Sequence, residues 1–191
     1  MSQRFVAEQW LPYPVEHVFA FFANPANLPR LMPTGLDTRI EKLQIEELQI
    51  EELQIEPASA QNELSPTPSA AAGAGSRILI SFRPVSWLPL RVRWLARITE
   101  FAWNNPSGQG HFCDEQVRGP FASFRHCHRI EAETHGSREG TRVIDAIEFT
   151  LPLGWLGRIG EGAVRRQLAA SFAFRQQRLE ELLQAECGNC K

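Results

Sequence analysis

Alternation and helical spacing of apolar residues divide the 191-residue chain into predicted strands and helices. Residues 4–13 alternate between apolar and polar side chains, which predicts a strand. A short amphipathic helix is expected over 14–23, where Pro14 suits the first turn, and a second short helix over about 26–32. Apolar residues return at every third or fourth position over 158–184, which predicts one long amphipathic helix.

The middle of the chain consists of predicted strands with no helix between them. Alternating runs occur at 75–82, 91–103, 112–134 and 141–151, and the third run contains two strands joined at Gly119. Such alternation is typical of an antiparallel sheet with one face in water. Because consecutive strands are followed by a helix, the pattern favours the α+β class.

The long C-terminal helix carries its apolar residues on one stripe. Val164, Leu168, Phe172 and Leu179 belong to this stripe, whereas Arg175 is assigned with the other arginines to the polar side. A single helix cannot bury such a stripe by itself. We therefore expect a curved antiparallel sheet that wraps around the helix.

An acidic insertion separates a strand predicted over residues 36–45 from the one predicted over 75–82. Residues 41–63 contain seven glutamates and one lysine, a net charge of −6, so the rest of the chain carries +4 and the total is −2. Three copies of a five-residue unit that begins Leu-Gln-Ile-Glu lie in this segment, and a Pro-, Ala-, Ser- and Gly-rich stretch follows at 57–75. We predict a single domain over 1–186 with a repeat and flexible loop inserted at about 43–75, and a loose tail at 187–191.

Composition narrows the functional classes. With 43% hydrophobic and 22% charged residues the chain is typical of a globular protein. It has no apolar run long enough to span a membrane and no apolar signal segment at its start, so we expect a cytoplasmic protein without integral membrane association. Positive charge is spread over the chain, which argues against a nucleic-acid partner. The four cysteines are expected to be thiols in that compartment, and we expect no metal and no cofactor.

The predicted hairpin at 112–134 contains the most informative polar residues. Period-two alternation places Phe124, His126 and His128 on the inward face of its second strand. A three-residue turn would pair Asp114 with His126 and Gln116 with Phe124, because cross-strand neighbours lie about 5 Å apart. The hairpin therefore predicts a polar group that points into the protein.

Three interpretations of this inward group are open. Asp114, Gln116, His126 and His128, joined by Asp145 from the next strand, could form a satisfied buried network that only stabilises the sheet. They could instead be the polar end of an apolar ligand cavity. They could also be catalytic or bind a metal, because two histidines on one strand can chelate and a carboxylate can complete a triad of ligands.

Several segments resemble the SRPBCC superfamily, which is also called START-like or birch-pollen-allergen-like. They are FVAEQWLPYPVEHVFAFFANPANLPRLMP, RWLARITEF, FCDEQVRGPFASFRHCHRI, GTRVIDAIEFTLPLGWLG and the final helix. The hairpin is similar to a bacterial ligand-binding subgroup described as polyketide cyclase/dehydrase-like. The resemblance implies a helix-grip fold, in which a curved antiparallel sheet surrounds the C-terminal helix and two short helices follow the first strand. It also implies an apolar cavity, lined here by the inward residues Trp94, Asp114, Gln116, Phe124, His126, His128 and Asp145.

The function we favour is binding or transport of a hydrophobic small molecule, such as a lipid, a quinone or a polyketide-like compound. Most members of the family that the sequence resembles bind or carry ligands, and a minority catalyse cyclisation or hydrolysis. The alternative is therefore a cyclase- or hydrolase-type enzyme in which His126 or His128 acts as acid or base with Asp114. The acidic segment 43–63 is a candidate surface for a protein partner.

Overall fold

Seven strands form one antiparallel sheet in the part of the chain that the structure describes. The structure is a computed structural model that describes residues 2–45, 72–84, 90–104, 107–152 and 157–188. The strands are β1 (Gln3–Leu11), β2 (Arg39–Gln44), β3 (Arg77–Phe82), β4 (Val92–Asn104), β5 (Gln109–Arg118), β6 (Ser123–His135) and β7 (Arg138–Thr150). Their order across the sheet is β1-β7-β6-β5-β4-β3-β2. Successive strands from β2 to β7 are therefore neighbours, and β1 pairs with the last of them.

Short helices follow β1, as the spacing predicted. Helix α1 (Val15–Ala23) begins one residue after Pro14, whose ψ of 142° is extended. A 3-10 turn (Pro25–Asn27) then leads into α2 (Leu28–Leu31). The second predicted helix is thus a 3-10 turn and a single α-helical turn in succession.

The C-terminal helix α3 (Gly157–Gly188) confirms the predicted apolar stripe. Phe172 and Leu179 are buried, and Val164 and Leu168 pack against a buried cluster that includes Phe149. The helix continues past the predicted end at residue 184. Residues 189–191, part of the predicted loose tail, lie outside the described residues.

Two apolar clusters form the core on either side of the polar group. One cluster combines α1 residues such as Val18 and Phe19 with the last turns of α3, where Leu183 is fully buried. The other joins Phe124 and Ile147 of the sheet to the middle of α3. The sheet and the short helices therefore pack against the middle and the last turns of α3, and the α+β helix-grip architecture is confirmed.

A bulge in β4 changes which residues point inward. Ile98 pairs with Asp114 but Glu100 pairs with Cys113, so β4 contains one extra residue at this point. Simple alternation from Ile98 would place Phe101 on the outer face of the sheet. The extra residue turns Phe101 inward instead, because it shifts the alternation by one position.

The predicted acidic insertion lies between neighbouring strands of one hairpin. Leu43 pairs with Ile78, so the start of the first repeat belongs to β2. At the other end Ala72 is buried, and its backbone N–H donates to the carbonyl of Ala23. Residues 46–71 lie outside the described residues, and the single-domain boundaries and the acidic partner surface stay predictions.

No helix among the described residues is long and apolar enough to cross a membrane.

Candidate functional site

A largely apolar cavity of about 440 Å³ lies between the sheet and the helices. Its volume falls within the range of small-molecule pockets, about 300–1,000 Å³. Residues of several strands and of three helices line it. Six of the aromatic and aliphatic residues that form its wall are Phe22, Ile80, Trp94, Phe101, Phe124 and Phe172.

The hairpin register places the predicted residues on the cavity wall. Phe112 pairs with His128 and Asp114 with His126, as the three-residue turn predicted. His126 and His128 are 8% and 4% exposed, and both line the cavity together with Asp114. On the outer face Arg125 forms an ion pair with Glu115, with Nε and Oε1 3.3 Å apart.

Asp145 joins the two histidines from the neighbouring strand β7. His126 Nε2 lies 3.0 Å from Asp145 Oδ1 within a hydrogen bond. His128 Nδ1 lies 2.6 Å from the same oxygen. On its other side His126 Nδ1 is 3.8 Å from Asp114 Oδ1. The two histidines thus lie between two carboxylates, of which only Asp114 reaches the cavity wall.

Burial and neighbouring charge separate the two carboxylates electrostatically. Burial raises the pKa of Asp114, whose carboxyl has lost most of its contact with water. Burial acts in the same direction on Asp145, but the positive charge of Arg175 and the contacts with the histidines outweigh it and hold the pKa of Asp145 well below its ordinary value. Burial lowers the pKa of His128 to about 3. At neutral pH His128 is therefore neutral beside an ionised Asp145.

Arg175 lines the cavity, although the sequence analysis assigned it to the polar side of α3. Its guanidinium carbon lies 5.2 Å from the centre of the Phe22 ring and 5.4 Å from that of Phe172. This assignment was wrong because Arg175 lies three positions after Phe172 and four before Leu179, on the apolar stripe itself. That spacing is the signal that could have identified it. Its Nε atom is buried without a hydrogen-bond partner in the described residues.

Of two further predicted site residues, Trp94 lies in the cavity wall and Gln116 lies at the hairpin turn. Trp94 lines the cavity and meets the Phe124 ring edge-on, with 4.6 Å between the ring centres. Gln116 closes the hairpin turn: its Nε2 donates to the carbonyl of Phe121 at 2.8 Å, and its Oε1 accepts from the Phe121 N–H at 3.3 Å. The paired ladder stops one residue before Gln116. Among the described residues, the cavity wall does not include Gln116.

A disulfide lies on the opposite face of the same strand pair. Cys113 and Cys127 face each other across β5 and β6, and their Cα atoms are 4.1 Å apart. Thiols are what the sequence predicts at both positions. The structure instead joins them, because the register brings the two side chains together directly behind the pairs Asp114–His126 and Phe112–His128.

A match to a protein-family model identifies the family of this chain. The model described as "Polyketide cyclase / dehydrase and lipid transport" matches residues 11–173. The chain belongs to this polyketide cyclase family. The match spans both short helices, strands β2 to β7 and the first half of α3, so it includes every residue of the polar group.

Solved structures share the architecture of this polyketide cyclase family member at low sequence identity. A structure of TTHA0849 from Thermus thermophilus is 18% identical, with a TM-score of 0.57 over 96% of this chain and 99% of that one. A norcoclaurine synthase point mutant from Thalictrum flavum, in complex with a transition-state analogue, is 12% identical, with a TM-score of 0.56 over 97% and 96%. Ara h 8.0201 is 12% identical, with a TM-score of 0.53 over 97% and 99%. No curated protein sequence matches the chain significantly. At these identities the structures show a common fold.

Proposed function

We propose that this polyketide cyclase family member binds a hydrophobic small molecule, such as a lipid, a quinone or a polyketide-like compound, in the cavity between the sheet and α3. The observation that carries the proposal is the cavity of about 440 Å³ with its largely aromatic and aliphatic wall. A cavity of this kind gains binding energy from apolar area removed from water, about 25 cal/mol per Å². The family to which the chain belongs includes lipid transport in its description.

The polar group on one wall would orient the ligand. Asp114 and His126 reach the cavity from adjacent strands, and Arg175 faces it from α3. Because burial favours the protonated form of Asp114, its carboxyl can donate a hydrogen bond to a ligand carbonyl or hydroxyl. An apolar body with one polar oxygen-bearing end is therefore the ligand chemistry that this wall fits.

The test fills the cavity without changing the outer surface. Ala96 lines the cavity on β4, whereas Ala102 lies on the same strand but outside this cavity. We expect Ala96→Phe to abolish binding of a fluorescent fatty acid probe and copurification of any ligand seen by mass spectrometry after extraction. Ala102→Phe should leave both unchanged. Equal probe binding by the two variants, with both folded by circular dichroism, would overturn the proposal.

A second candidate function is acid–base catalysis by a cyclase- or hydrolase-type enzyme. The observation that favours it is the position of His126, which Asp145 holds by a hydrogen bond while its other nitrogen faces Asp114 at the cavity. In that case His126→Gln should retain the copurifying ligand but lose its conversion, followed by chromatography. Undiminished conversion would exclude this role for His126.

A cytoplasmic location and a protein partner for the acidic segment 43–63 are further proposals. Both rest on the sequence alone, and most of the acidic segment lies outside the described residues. The cytoplasmic location competes with the Cys113–Cys127 disulfide, because such bonds persist in oxidising compartments. Deleting residues 46–71 should leave probe binding unchanged and remove the partner from an affinity purification. An identical set of captured proteins would contradict the partner proposal.

A further inference from the structure

We propose that Asp114, His126 and His128 bind a divalent transition-metal ion at the cavity wall, with Asp145 as the carboxylate that orients both histidines. The sequence by itself predicts no metal. The geometry points the other way, because each of the three residues offers one ligand atom and these atoms lie within 4.8 Å of one another. Two histidines and one carboxylate with open positions are a ligand set that divalent transition metals take.

The backbone already holds the three ligands on one side of the sheet. His126 and His128 are two residues apart on β6, so both point inward, and Asp114 is the direct cross-strand partner of His126 on β5. His126 Nδ1 and Asp114 Oδ1 are 3.8 Å apart. A metal ion bound at about 2.0–2.2 Å from each atom can bridge such a gap with a small side-chain rotation.

Asp145 occupies the place of an orienting carboxylate. Histidines that bind metals usually direct the second ring nitrogen to a carboxylate or a carbonyl, which sets the tautomer. Here His126 Nε2 and His128 Nδ1 both lie against Asp145 Oδ1, at 3.0 and 2.6 Å. That leaves His126 Nδ1 and His128 Nε2 as the nitrogen atoms available to a metal.

The charges around the group are compatible with a bound cation. Asp114 lies in the largely apolar cavity wall and Asp145 lies behind the two histidines, while Arg175 faces the cavity from α3. Metal binding would displace the proton from Asp114, because ligands bind metals in their deprotonated form. With both carboxylates ionised, the divalent ion, Asp114, Asp145 and Arg175 together carry a charge of +1. An oxygen anion in an open coordination position balances this charge, and the cavity gives access to that position.

Cobalt titration tests the site directly. The full chain is stripped with a chelator and titrated with Co²⁺, whose visible absorption reports nitrogen and oxygen ligation, and Zn²⁺ is then added as a competitor. We expect one Co²⁺ per chain, displaced by Zn²⁺. Absence of stoichiometric binding to the folded wild-type protein would overturn the proposal, whatever the variants do.

Variants separate the ligands from other histidines. His128→Gln should weaken Co²⁺ binding by more than about 100-fold and Asp145→Asn by about 10–100-fold, the usual loss when an orienting partner is removed. His111→Gln is the matched control, because His111 lies on the outer face of β5 and is exposed. Equal losses in His111→Gln and His128→Gln would mean adventitious binding and would reject the site.

The metal site and the ligand cavity can fail independently. Ala96→Phe fills the cavity next to the polar group but removes none of the proposed metal ligands. We expect this variant to lose the fatty acid probe and to keep its single Co²⁺. Loss of Co²⁺ binding with probe binding retained in His128→Gln would support the metal site and leave the proposed ligand function untouched.

Discussion

The disulfide between Cys113 and Cys127 should contribute a large part of the stability of this domain. The sequence separation is 14, so the bond closes a loop of 15 residues counted with both cysteines. In the chain-entropy description a loop of 15 residues restricts the unfolded chain enough to stabilise the folded state by about 3 kcal/mol. For a chain of this size that corresponds to a melting temperature higher by roughly 6–12 °C.

The perturbation is the double variant Cys113→Ala/Cys127→Ala, compared with the wild type by urea unfolding with and without dithiothreitol. We expect the variant and the reduced wild type to lose about 3 kcal/mol of unfolding free energy equally. The reductant should have no further effect on the variant. The control is Cys187→Ala/Cys190→Ala, which removes the other two cysteines of the chain and should keep the stability of the oxidised wild type.

Two results would refute the reasoning. Four titratable thiols in denatured, unreduced protein would mean that the bond does not form. Two thiols with an unchanged urea midpoint after reduction would mean that loop closure contributes no stability. Rapid alkylation of thiols in cells before lysis then reports the compartment in which the protein resides. Disulfides persist in oxidising environments, so a cytoplasmic protein should yield alkylated thiols at Cys113 and Cys127.

Two further predictions concern packing and pH. Gly110→Ala should lower the free energy of unfolding by about 1–3 kcal/mol through overpacking, because the new Cβ would lie 2.5 Å from ring carbons of Phe19. Gly35→Ala is the control, since a Cβ there meets nothing within 4 Å. Equal melting temperatures of the two variants would contradict the packing at Gly110. Asp37 has a pKa below its ordinary 3.8, chiefly through hydrogen bonds from Arg39 and Arg91. The ionised carboxylate of Asp37 therefore stabilises the fold at a pH above 3.8. Asp37→Asn should be less stable than the wild type at pH 7, and this difference in stability should shrink as the pH falls through 3.8 and below. A difference that stays constant with pH would contradict the prediction.

Much of the hairpin site followed from two short-range rules. Alternation placed His126 and His128 on one face, and the three-residue turn paired Asp114 with His126. Both rules depend only on residues close together in the chain, so a sequence can reveal them. The parity of Asp145 with its apolar neighbours on β7 pointed it to the same face, where the structure brings it against both histidines.

The errors arose where distant elements meet. Arg175 was assigned to water because a charged residue on a helix usually is exposed, but the rings of Phe22 and Phe172 accept its guanidinium at the cavity. Phe101 turns inward only because of the β4 bulge, which depends on the pairing with β5. The expectation of thiols at Cys113 and Cys127 has another origin: the predicted hairpin register already places them opposite each other, but the expected cytoplasmic compartment argued against a bond.

The amino-acid sequence alone therefore established the elements, their order, the inward face of the hairpin and the family resemblance, because each of these is written in local periodicity or in short motifs. The tertiary structure decided the cavity, the shared contact of Asp145 with two histidines and the position of Arg175 at the cavity. The cavity forms only where α3 meets the sheet, and the contacts of Asp145 form only where β7 pairs with β6. The physical reason is that cavity shape and charge coupling depend on residues far apart in the chain.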